Sequence, residues 1–304
     1  MMVTELVEEL QHSSFGARSL ARACALAQRW SETPGLRVIV TISGALSVAQ
    51  QTSIVAQLIA ARKVHAIVTT GAVVTHSLTQ EAGGRRRAVE PQESDEELAG
   101  RGLNRIFDTI ESDENLDLLV ELVRRLSESG LQGRVGSSEI LARVGSLVTG
   151  DGLMASAARA GVPVFVPALS DSELGMRLSE QAVGASWTFD AFQDLARYRE
   201  WLLTGFDHAV LSLGGGVPRN WAQQMFAEVK AFGRERPPRL VSGLRVCPDN
   251  VALGHLSGST FSEARSWRKI PAFDDDDFVE VSSDFTIAFP FIAVAMLQNA
   301  ASSR

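Results

Sequence analysis

The segment 257–273, SGSTFSEARSWRKIPAF, contains Lys269, one of only three lysines among 29 basic residues. Lysine can lose its proton whereas arginine cannot, and a desolvated lysine amine can attack carbon to form an imine. Glu263 and Trp267 precede Lys269 at short spacing. A carboxylate and an aromatic face together can hold an amine. The segment therefore predicts an amine-processing site, and a plain surface lysine is the alternative.

Glycine and hydroxyl residues directly follow several predicted strands. Gly214, Gly215 and Gly216 come after the run HAVLSL, and the segments TISGALS and VTTGAVVTHS place Gly, Ser and Thr after two other runs. Ligands of open α/β sheets bind at the carboxyl ends of strands, and glycine lets the backbone approach a phosphate. The pattern predicts a nucleotide site across the sheet edge. Tight strand-to-helix turns are the alternative interpretation.

Acidic and histidine side chains near strand ends are further candidates. Asp171 and Asp284 could each hold a ribose hydroxyl or cap the helix that follows. His76 ends the second strand-turn segment and His255 lies beside a glycine, so each could be an acid–base group or a plain polar residue. The acidic run 274–277 predicts a solvated turn, and we expect no metal site.

Runs of β-branched residues alternate with stretches of helical periodicity. Strands are predicted at 37–42, 65–70, 162–167, 208–213, 240–246 and 278–282. Helices are predicted at 4–29, 45–62, 115–129, 138–148, 188–203, 218–233 and 285–300. The charge-rich stretch 83–100 predicts a polar loop excursion. Short strand–helix–strand connections favour a single α/β domain over 1–304 with a mainly parallel sheet.

The composition restricts the class of protein. A chain of 304 residues with 45% hydrophobic residues can bury a sizeable core. Its net charge of −7 disfavours nucleic acid as a partner. The longest apolar stretch, 287–297, is interrupted by Pro290 and is far shorter than the roughly 20 residues of a membrane span. Two cysteines without metal or redox spacing favour a cytoplasmic protein.

Eight short motifs follow one another along the chain: SFGARSL, ISGALS, VTTGAVV, GLNRIFDT, PVFVPALSDSELG, LGGGV, EARSWRKI and SSDFTIAFP. Their order resembles the deoxyhypusine synthase family and its homospermidine-synthase-like bacterial relatives, from about residue 14 to 298. The resemblance implies a Rossmann-like α/β fold with helices on both sheet faces, a homotetramer, and NAD sites at subunit interfaces. In the family, NAD oxidises an amine to an imine, which passes to a lysine and then to an acceptor amine before the retained hydride reduces the product.

The resemblance assigns roles to matching positions of this chain. The resemblance implies Lys269 and Glu263 as catalytic residues and Trp267 as a residue for small-molecule amine substrates. From their side-chain chemistry and their places in these motifs, we further predict His76 as a catalytic residue and His255 and Asn220 as substrate residues. The implied cofactor residues are Ser43, Ser47, Thr70, Gly71, Asp171, Gly214, Gly215, Gly216, Asp284 and Thr286. These motifs offer no clear arginine for the 2′-phosphate of NADP, so NAD is the expected cofactor.

Five positions depart from the family pattern, and one of them is Thr286, which stands where the family usually has Ser. His76 stands where deoxyhypusine synthases have Glu, Asn220 replaces a His, and Met176 and Leu256 replace acids that contact the polyamine. Polycationic spermidine needs several carboxylates to offset its desolvation. We therefore expect an NAD-dependent aminoalkyl transferase that acts on a smaller or differently charged amine, and not true deoxyhypusine synthesis. A catalytically inactive NAD-binding or structural homologue is the alternative.

Overall fold

A parallel β-sheet organises the chain in the computed structural model, which describes residues 3–228, 237–271 and 276–298. The strands are β1 (Arg37–Ile42), β2 (Ala66–Thr69), β3 (Arg86–Ala88), β4 (Leu103–Ile106), β5 (Thr109–Ser112), β6 (Gly133–Val135), β7 (Val164–Phe165), β8 (Trp187–Phe189), β9 (Asp207–Leu213), β10 (Arg239–Val246) and β11 (Phe278–Val281). Six of them form the main sheet, in the order β11-β10-β9-β1-β2-β7, and every pair in it is parallel. The remaining strands form a three-stranded antiparallel sheet, β3-β5-β4, and a two-stranded parallel pair, β6-β8.

Helices connect and cover these strands. They are α1 (Val3–Leu10), α2 (Phe15–Glu32), α3 (Thr52–Ala60), α4 (Gly71–Glu81), α5 (Asp95–Gly100), α6 (Asp113–Ser127), α7 (Ser137–Gly145), α8 (Leu153–Ala160), α9 (Glu173–Ala182), α10 (Ala191–Leu202), α11 (Gly216–Glu228), α12 (Phe261–Ser266) and α13 (Phe285–Leu297). Within the described part of the chain, no helix combines the length and apolar character needed to cross a bilayer.

The alternation of side chains along β1 divides the core between the two faces of the sheet. Val38 and Val40 pack in a large apolar cluster that includes residues of α2 and α13. Ile39 faces the other way, into a cluster with Tyr198 of α10 and Phe226 of α11. Strands buried on both faces read as continuous apolar runs, which is why β1 could be located from RVIVTI. The expected α/β fold with helices on both faces is confirmed.

The strand order reverses between β1 and β9. From β1 the chain proceeds to β2 and β7 on one side, whereas β9 leads to β10 and β11 on the other. The two central strands pair in register from Arg37–His208 to Ile42–Leu213, so they end side by side. Ligands of open α/β sheets bind outside the carboxyl ends of strands at such a switch point. The fold therefore brings the segments after β1 and β9 to the expected binding crevice.

Several predicted boundaries are wrong. The single helix expected over 4–29 is two helices, because the backbone of Ser14 is extended and begins α2 as its N-cap residue. The helix expected over 45–62 starts only at Thr52, since Gln50 has φ of +57° and interrupts the preceding turns. Helices α4, α8 and α9 were not predicted. His76 consequently lies in the middle of α4 and not at the end of a strand-turn segment.

The prediction of a polar loop over 83–100 is also wrong. This stretch contains β3 and α5, and β3 pairs with β5 in the small antiparallel sheet. Ser94 and Glu97 form a reciprocal capping box at the start of α5, and Leu98 anchors this helix with 1% of its surface exposed. The strands are short and mostly polar, so their sequence lacks the apolar alternation that predicts a strand.

Some predicted elements extend beyond the described residues. The C-terminal part of the helix predicted over 218–233, residues 299–300 of the last predicted helix, and Asp274 and Asp275 of the acidic run lie outside them. The other two acids of that run occupy a turn next to α2. Asp276 pairs with Arg22 and Asp277 pairs with Arg29, each at 3.1 Å.

Candidate active site

Lys269 is held just beyond the end of α12. Thr260 begins this short helix by accepting the Glu263 N–H at 3.0 Å. Arg268 adopts φ of +60°, and the Lys269 N–H then donates back to the carbonyl of Ala264 at 3.1 Å. A left-handed residue closed by such a hydrogen bond is a common way for a helix to end. The local backbone therefore fixes where the lysine side chain starts.

The Lys269 amine has two close neighbours. Its Nζ donates to Asn220 Oδ1 at 2.6 Å and lies 5.9 Å from the centre of the Trp267 ring. Burial lowers the pKa of this amine, the charge of Arg219 lowers it further, and Glu263 opposes both by raising it. A lowered pKa increases the fraction of neutral amine, the form that acts as a nucleophile.

A cleft of about 580 Å³, here called the Lys269 cleft, surrounds this amine. Its walls come from α11, from the loop after β10, and from α12 with the residues that follow it. The lining residues are Arg219, Asn220, Gln223, Gln224, Ala227, Glu228, Leu256, Ser259, Glu263, Ala264, Trp267, Arg268 and Lys269. Four predicted site residues, Asn220, Glu263, Trp267 and Lys269, thus share one cleft. His255 is exposed and is not part of this lining.

Two buried arginines support the cleft, and sequence analysis did not single them out. Arg219 is 3% exposed and donates through Nη2 to the carbonyl of Ser259 at 2.5 Å. Arg245, also 3% exposed, pairs with Glu280 at 2.9 Å and donates to the Ser257 carbonyl at 2.6 Å. Two signals were available in the sequence. Arg245 lies inside the otherwise largely apolar run of β10, and Arg219 lies about one helical turn after the three glycines. Arginine is so frequent in this chain that neither position stood out.

The segments after β1 and β9 meet at the switch point. Ser43 Oγ accepts the Gly215 N–H at 2.7 Å. Gly214 has φ of +82°, and a Cβ there would lie 2.5 Å from Ser43 Oγ. A Cβ on Gly215 would lie 2.7 Å from Cα of Ser257, beside the Lys269 cleft. Gly214 thus requires glycine for packing and for its backbone conformation, and Gly215 requires it for packing. The loop connects the switch point with the cleft.

The segments after β2 and β7 also approach each other closely. Thr70 caps α4 by accepting the Val73 N–H at 3.4 Å, and a Cβ on Gly71 would lie 2.5 Å from Ser172. Ser172, and not Asp171, caps α9 by accepting the Gly175 N–H at 3.0 Å. The capping role considered for Asp171 is therefore wrong. Among the described residues its exposed carboxylate has no hydrogen bond or ion pair, so it is available to a ligand.

Asp284 does act as a cap. Its Oδ1 accepts the Thr286 N–H at 2.7 Å and the Thr286 hydroxyl at 2.9 Å, at the start of α13. The Thr286 carbonyl in turn accepts Gln51 Nε2 at 2.7 Å. Ser47 lies in the segment between β1 and α3, and its buried hydroxyl has no hydrogen-bond partner among the described residues. We call the region formed by the segments after β1, β2, β7, β9 and β11 the sheet-edge crevice.

His76 belongs to a separate buried cluster. Its Nδ1 lies 2.7 Å from Glu111 Oε2, and Arg86 pairs with the other carboxylate oxygen at 3.0 Å. Burial alone would raise the pKa of Glu111, but hydrogen bonds and charge from His76 and Arg86 outweigh it and lower this pKa to about 2. The cluster ties α4 to the small antiparallel sheet, and His76 does not line the Lys269 cleft. Across the described residues, no group of three or more His, Cys, Asp or Glu side chains is arranged to hold a metal.

Comparison with known proteins gives consistent results over almost the whole chain. The family model described as deoxyhypusine synthase matches residues 5–296. The protein named "Probable deoxyhypusine synthase 2" of Methanosarcina mazei is 31% identical, with 97% of this chain and 86% of that protein covered. The "Deoxyhypusine synthase-like protein" of Chlorobaculum parvum is 28% identical, with 96% and 85% covered.

Solved structures share the fold at much lower identity. A candidate deoxyhypusine synthase from Entamoeba histolytica superposes with a TM-score of 0.62 at 15% identity, covering 97% of this chain and 92% of that one. AgrE in a ternary complex with ornithine and NAD+ superposes with a TM-score of 0.55 at 15% identity, covering 93% of this chain and 34% of that one. These two likenesses show the architecture and nothing finer.

Proposed function

Because this chain belongs to the deoxyhypusine synthase family, we propose that it is an NAD-dependent transferase that moves an aminoalkyl group between amines through an imine on Lys269. The observation that carries the proposal is the position of the Lys269 amine, in a cleft beside Asn220, Trp267 and Glu263, with its pKa lowered by burial and by Arg219. A surface lysine would have neither the cleft nor the lowered pKa.

In the proposed reaction the neutral Lys269 amine attacks the imine carbon of the oxidised donor. A new carbon–nitrogen bond forms, and the former amine leaves with the protons that Lys269 gives up, so atoms and charge balance. The acceptor amine then displaces Lys269 in the same way. Asn220 Oδ1 orients the attacking amine, and the Trp267 face together with Glu263 can hold a substrate ammonium.

The residues of the sheet-edge crevice fit a dinucleotide. The cradles at Gly71, Gly214 and Gly215 leave no room for a side chain, which suits a backbone that approaches phosphate. The unpartnered Ser47 hydroxyl and the Asp171 carboxylate are groups that a ligand could satisfy. The residues that would hold NAD are Ser43, Ser47, Thr70, Gly71, Asp171, Gly214, Gly215, Gly216, Asp284 and Thr286. When bound, the nicotinamide would take up a hydride from the donor amine and return it to the product.

We expect spermidine to be a poor substrate, because the Lys269 cleft sets only Glu228 and Glu263 against a polycation and also contains arginines. Leu256 presents an apolar side chain to it, and Asn220 uses its amide oxygen on Lys269. Met176 lies on α9, is 54% exposed and does not line the cleft within this chain. The proposed substrates are therefore amines of lower positive charge than spermidine.

The proposed setting is a cytoplasmic homotetramer, by analogy with the family. Large apolar side chains such as Phe15, Phe107 and Phe192 are more than 70% exposed and are available for subunit contacts. Cys24 and Cys247 are both buried free thiols, which suits a reducing compartment. Light scattering of the purified protein would test the assembly.

The central experiment is an amine screen with NAD, followed at the NADH absorbance. We expect a small amine to give NADH, or a transfer product if the hydride is retained, and spermidine at micromolar concentration to give little of either. Borohydride added during turnover should reduce the imine and attach the substrate skeleton to the peptide that contains Lys269. Labelling of a different residue, or efficient turnover of spermidine, would contradict the proposal.

A further inference from the structure

Arg219 is a buried cation that forms no ion pair among the described residues. Within the described residues Arg245 has Glu280 as its ion-pair partner, whereas Arg219 has hydrogen bonds only to Ser259 and no ion pair. Its Nη1 is buried and has no hydrogen-bond partner. A guanidinium taken out of water without a carboxylate is costly, so such a group is usually paired. The missing partner is a feature to be explained.

Arg219 faces the Lys269 cleft and precedes Asn220, the residue that holds the lysine amine. Burial and, after it, repulsion from Arg245 lower the pKa of Arg219 to about 10, although the charges of Glu280 and Glu263 oppose this, and the group remains charged near neutral pH. An anion bound at Arg219 would lie in the same cleft as the Lys269 amine, where one molecule can contact both. The position of the unpaired charge indicates what kind of molecule that is.

The charges of the lining decide between substrate classes. With Lys269 neutral, as its chemistry requires, Arg219 and Arg268 balance Glu228 and Glu263. A carboxylate on the substrate offsets one ammonium, so an amino acid such as lysine adds one net positive charge to the cleft, whereas the matching diamine adds two beside two arginines. A guanidinium forms bidentate hydrogen bonds with carboxylate and with phosphate. Charge distinguishes the two here, because a carboxylate monoanion neutralises the one unpaired guanidinium and a phosphate dianion would leave an excess negative charge.

We infer that the Lys269 cleft takes an amine that carries a carboxylate, with the carboxylate bound by Arg219 and the amine directed to Lys269. The inference rests on the proposed function in one respect, because it takes the cleft as an amine site. The Trp267 face and Glu263 receive the ammonium end. Arg219 thus becomes a specificity residue for the acidic end of the substrate.

The test compares matched ligands that differ only by the carboxylate: lysine against 1,5-diaminopentane, and ornithine against 1,4-diaminobutane. Calorimetry with NAD present measures binding, and NADH or product formation measures turnover. We expect the amino acid of each pair to bind at least about tenfold more tightly than its diamine, the size of one charge-assisted hydrogen-bonded contact. Equal or tighter binding of the diamines would overturn the inference.

Variants locate the effect. Arg219→Gln should abolish the preference within each pair, while Arg268→Gln, which removes a charge from the exposed wall of the same cleft, should keep it. Arg219→Lys retains the positive charge but lacks the paired N–H donors of a guanidinium, so it should lose part of the preference. This variant replaces Arg219→Gln in the test if the Gln variant does not fold. Preserved preference in folded Arg219→Gln or Arg219→Lys would overturn the assignment.

Two further results separate the possible failures. Competition of bound lysine by acetate but not by inorganic phosphate supports a carboxylate site, and the reverse overturns it. Binding that depends on Arg219 without NADH formation or borohydride trapping would leave the carboxylate site standing and refute the proposed transferase. If simple diamines are turned over, and Arg219→Gln turns them over and binds the amino acids as the wild type does, the transferase proposal stands and the carboxylate site is refuted.

Discussion

Four neighbours act on the Lys269 amine in different ways, and one of them, Glu263, favours its protonated form. Asn220 accepts its hydrogen bond and fixes its position, Trp267 offers a ring face, and Arg219 disfavours its protonated form. Arginine at this position would keep a charge and a donor but could never supply the neutral amine. The role of the residue can therefore be tested by a change that preserves charge.

Lys269→Arg should leave NAD binding within about twofold and lower amine transfer by at least about a thousandfold, as removal of a covalent nucleophile does. Lys63→Arg is the matched control, because Lys63 donates to the Ser31 carbonyl and does not line the cleft. Calorimetry with NAD and a product assay would measure the two effects. Normal turnover of Lys269→Arg would exclude the covalent route.

The pH dependence of turnover follows from the same contacts. The rate should increase with pH as Lys269 loses its proton. Because the pKa of Lys269 is lowered, this increase should occur at a lower pH than for an ordinary lysine. Arg219→Gln removes a positive charge that opposes protonation, so the rise should move to higher pH.

Glu263→Gln removes the charge that favours the ammonium, so the rise should move to lower pH. Profiles of kcat/KM against pH for both variants, with Arg268→Gln as the control, would show the two shifts. Shifts in the same direction would contradict this electrostatic account of the cleft.

Residue types made some positions of the candidate site visible in the sequence and left others hidden. Lys269 stood out because lysine is rare in this chain. Arg219 and Arg245 did not, since burial and the lack of a partner depend on packing between α11, β10 and the loop after β10. The sequence likewise could not decide whether Asp171 and Asp284 cap a helix or are left for a ligand. In the structure Ser172 caps α9, whereas Asp284 itself caps α13.

At the scale of elements, the buried parallel strands could be predicted from local sequence. Helix α4 and the small antiparallel sheet could not, because they depend on contacts between residues far apart in the chain. The six strands of the main sheet were predicted to within a few residues, because each is an apolar run buried on both faces. The sequence of α4 is rich in Val and Thr, which favour strands, and tertiary packing overrides that preference. In the β3-β5-β4 sheet, the ion-pair partners of Glu111 are Arg86 and His76, which lie 25 and 35 residues away in sequence.

Glu111→Gln should lower the free energy of unfolding by about 3 kcal/mol, because it leaves the buried Arg86 guanidinium without a counterion. Glu93→Gln is the control, since its pairs with Arg87 and Arg101 are at the surface and its loss should be much smaller. Denaturant unfolding of both variants at neutral pH would measure the difference. Equal losses would show that burial of the cluster contributes nothing.

The same carboxylate gives stability that depends on pH. Its pKa is about 2 in the folded chain against an ordinary 4.5, so its contribution is complete above 4.5 and is lost as pH falls toward 2. In Glu111→Gln the decrease of stability across this window should therefore be shallower than in the wild type. An unchanged slope in the variant would contradict the assignment.

At the scale of the whole molecule, ligand binding should couple five strand ends that are far apart in sequence. The sheet-edge crevice combines segments after β1, β2, β7, β9 and β11, so NAD bound there should stabilise the folded chain as a unit. At one hundred times its Kd the gain is about 2.7 kcal/mol. NADP should stabilise less, because the free carboxylate of Asp171 would repel its 2′-phosphate.

Thermal unfolding with each dinucleotide would measure this preference. Asp171→Asn should weaken NAD and reduce the discrimination against NADP, whereas Asp151→Asn, at an exposed site on another loop, should change neither. Stabilisation by NADP equal to that by NAD in the wild type would contradict the prediction.

The two cysteines have a practical consequence for observing the cleft. Cys24 and Cys247 are 1% and 2% exposed, and burial raises the pKa of the Cys24 thiol to about 12. Maleimide reagents require an accessible thiolate, so the folded chain should behave toward them as if it had no cysteine. A single cysteine introduced at exposed Ser262, on the outer side of α12, would then carry a fluorophore at one known place. The wild-type background thus allows substrate arrival at the cleft to be followed as a change in emission.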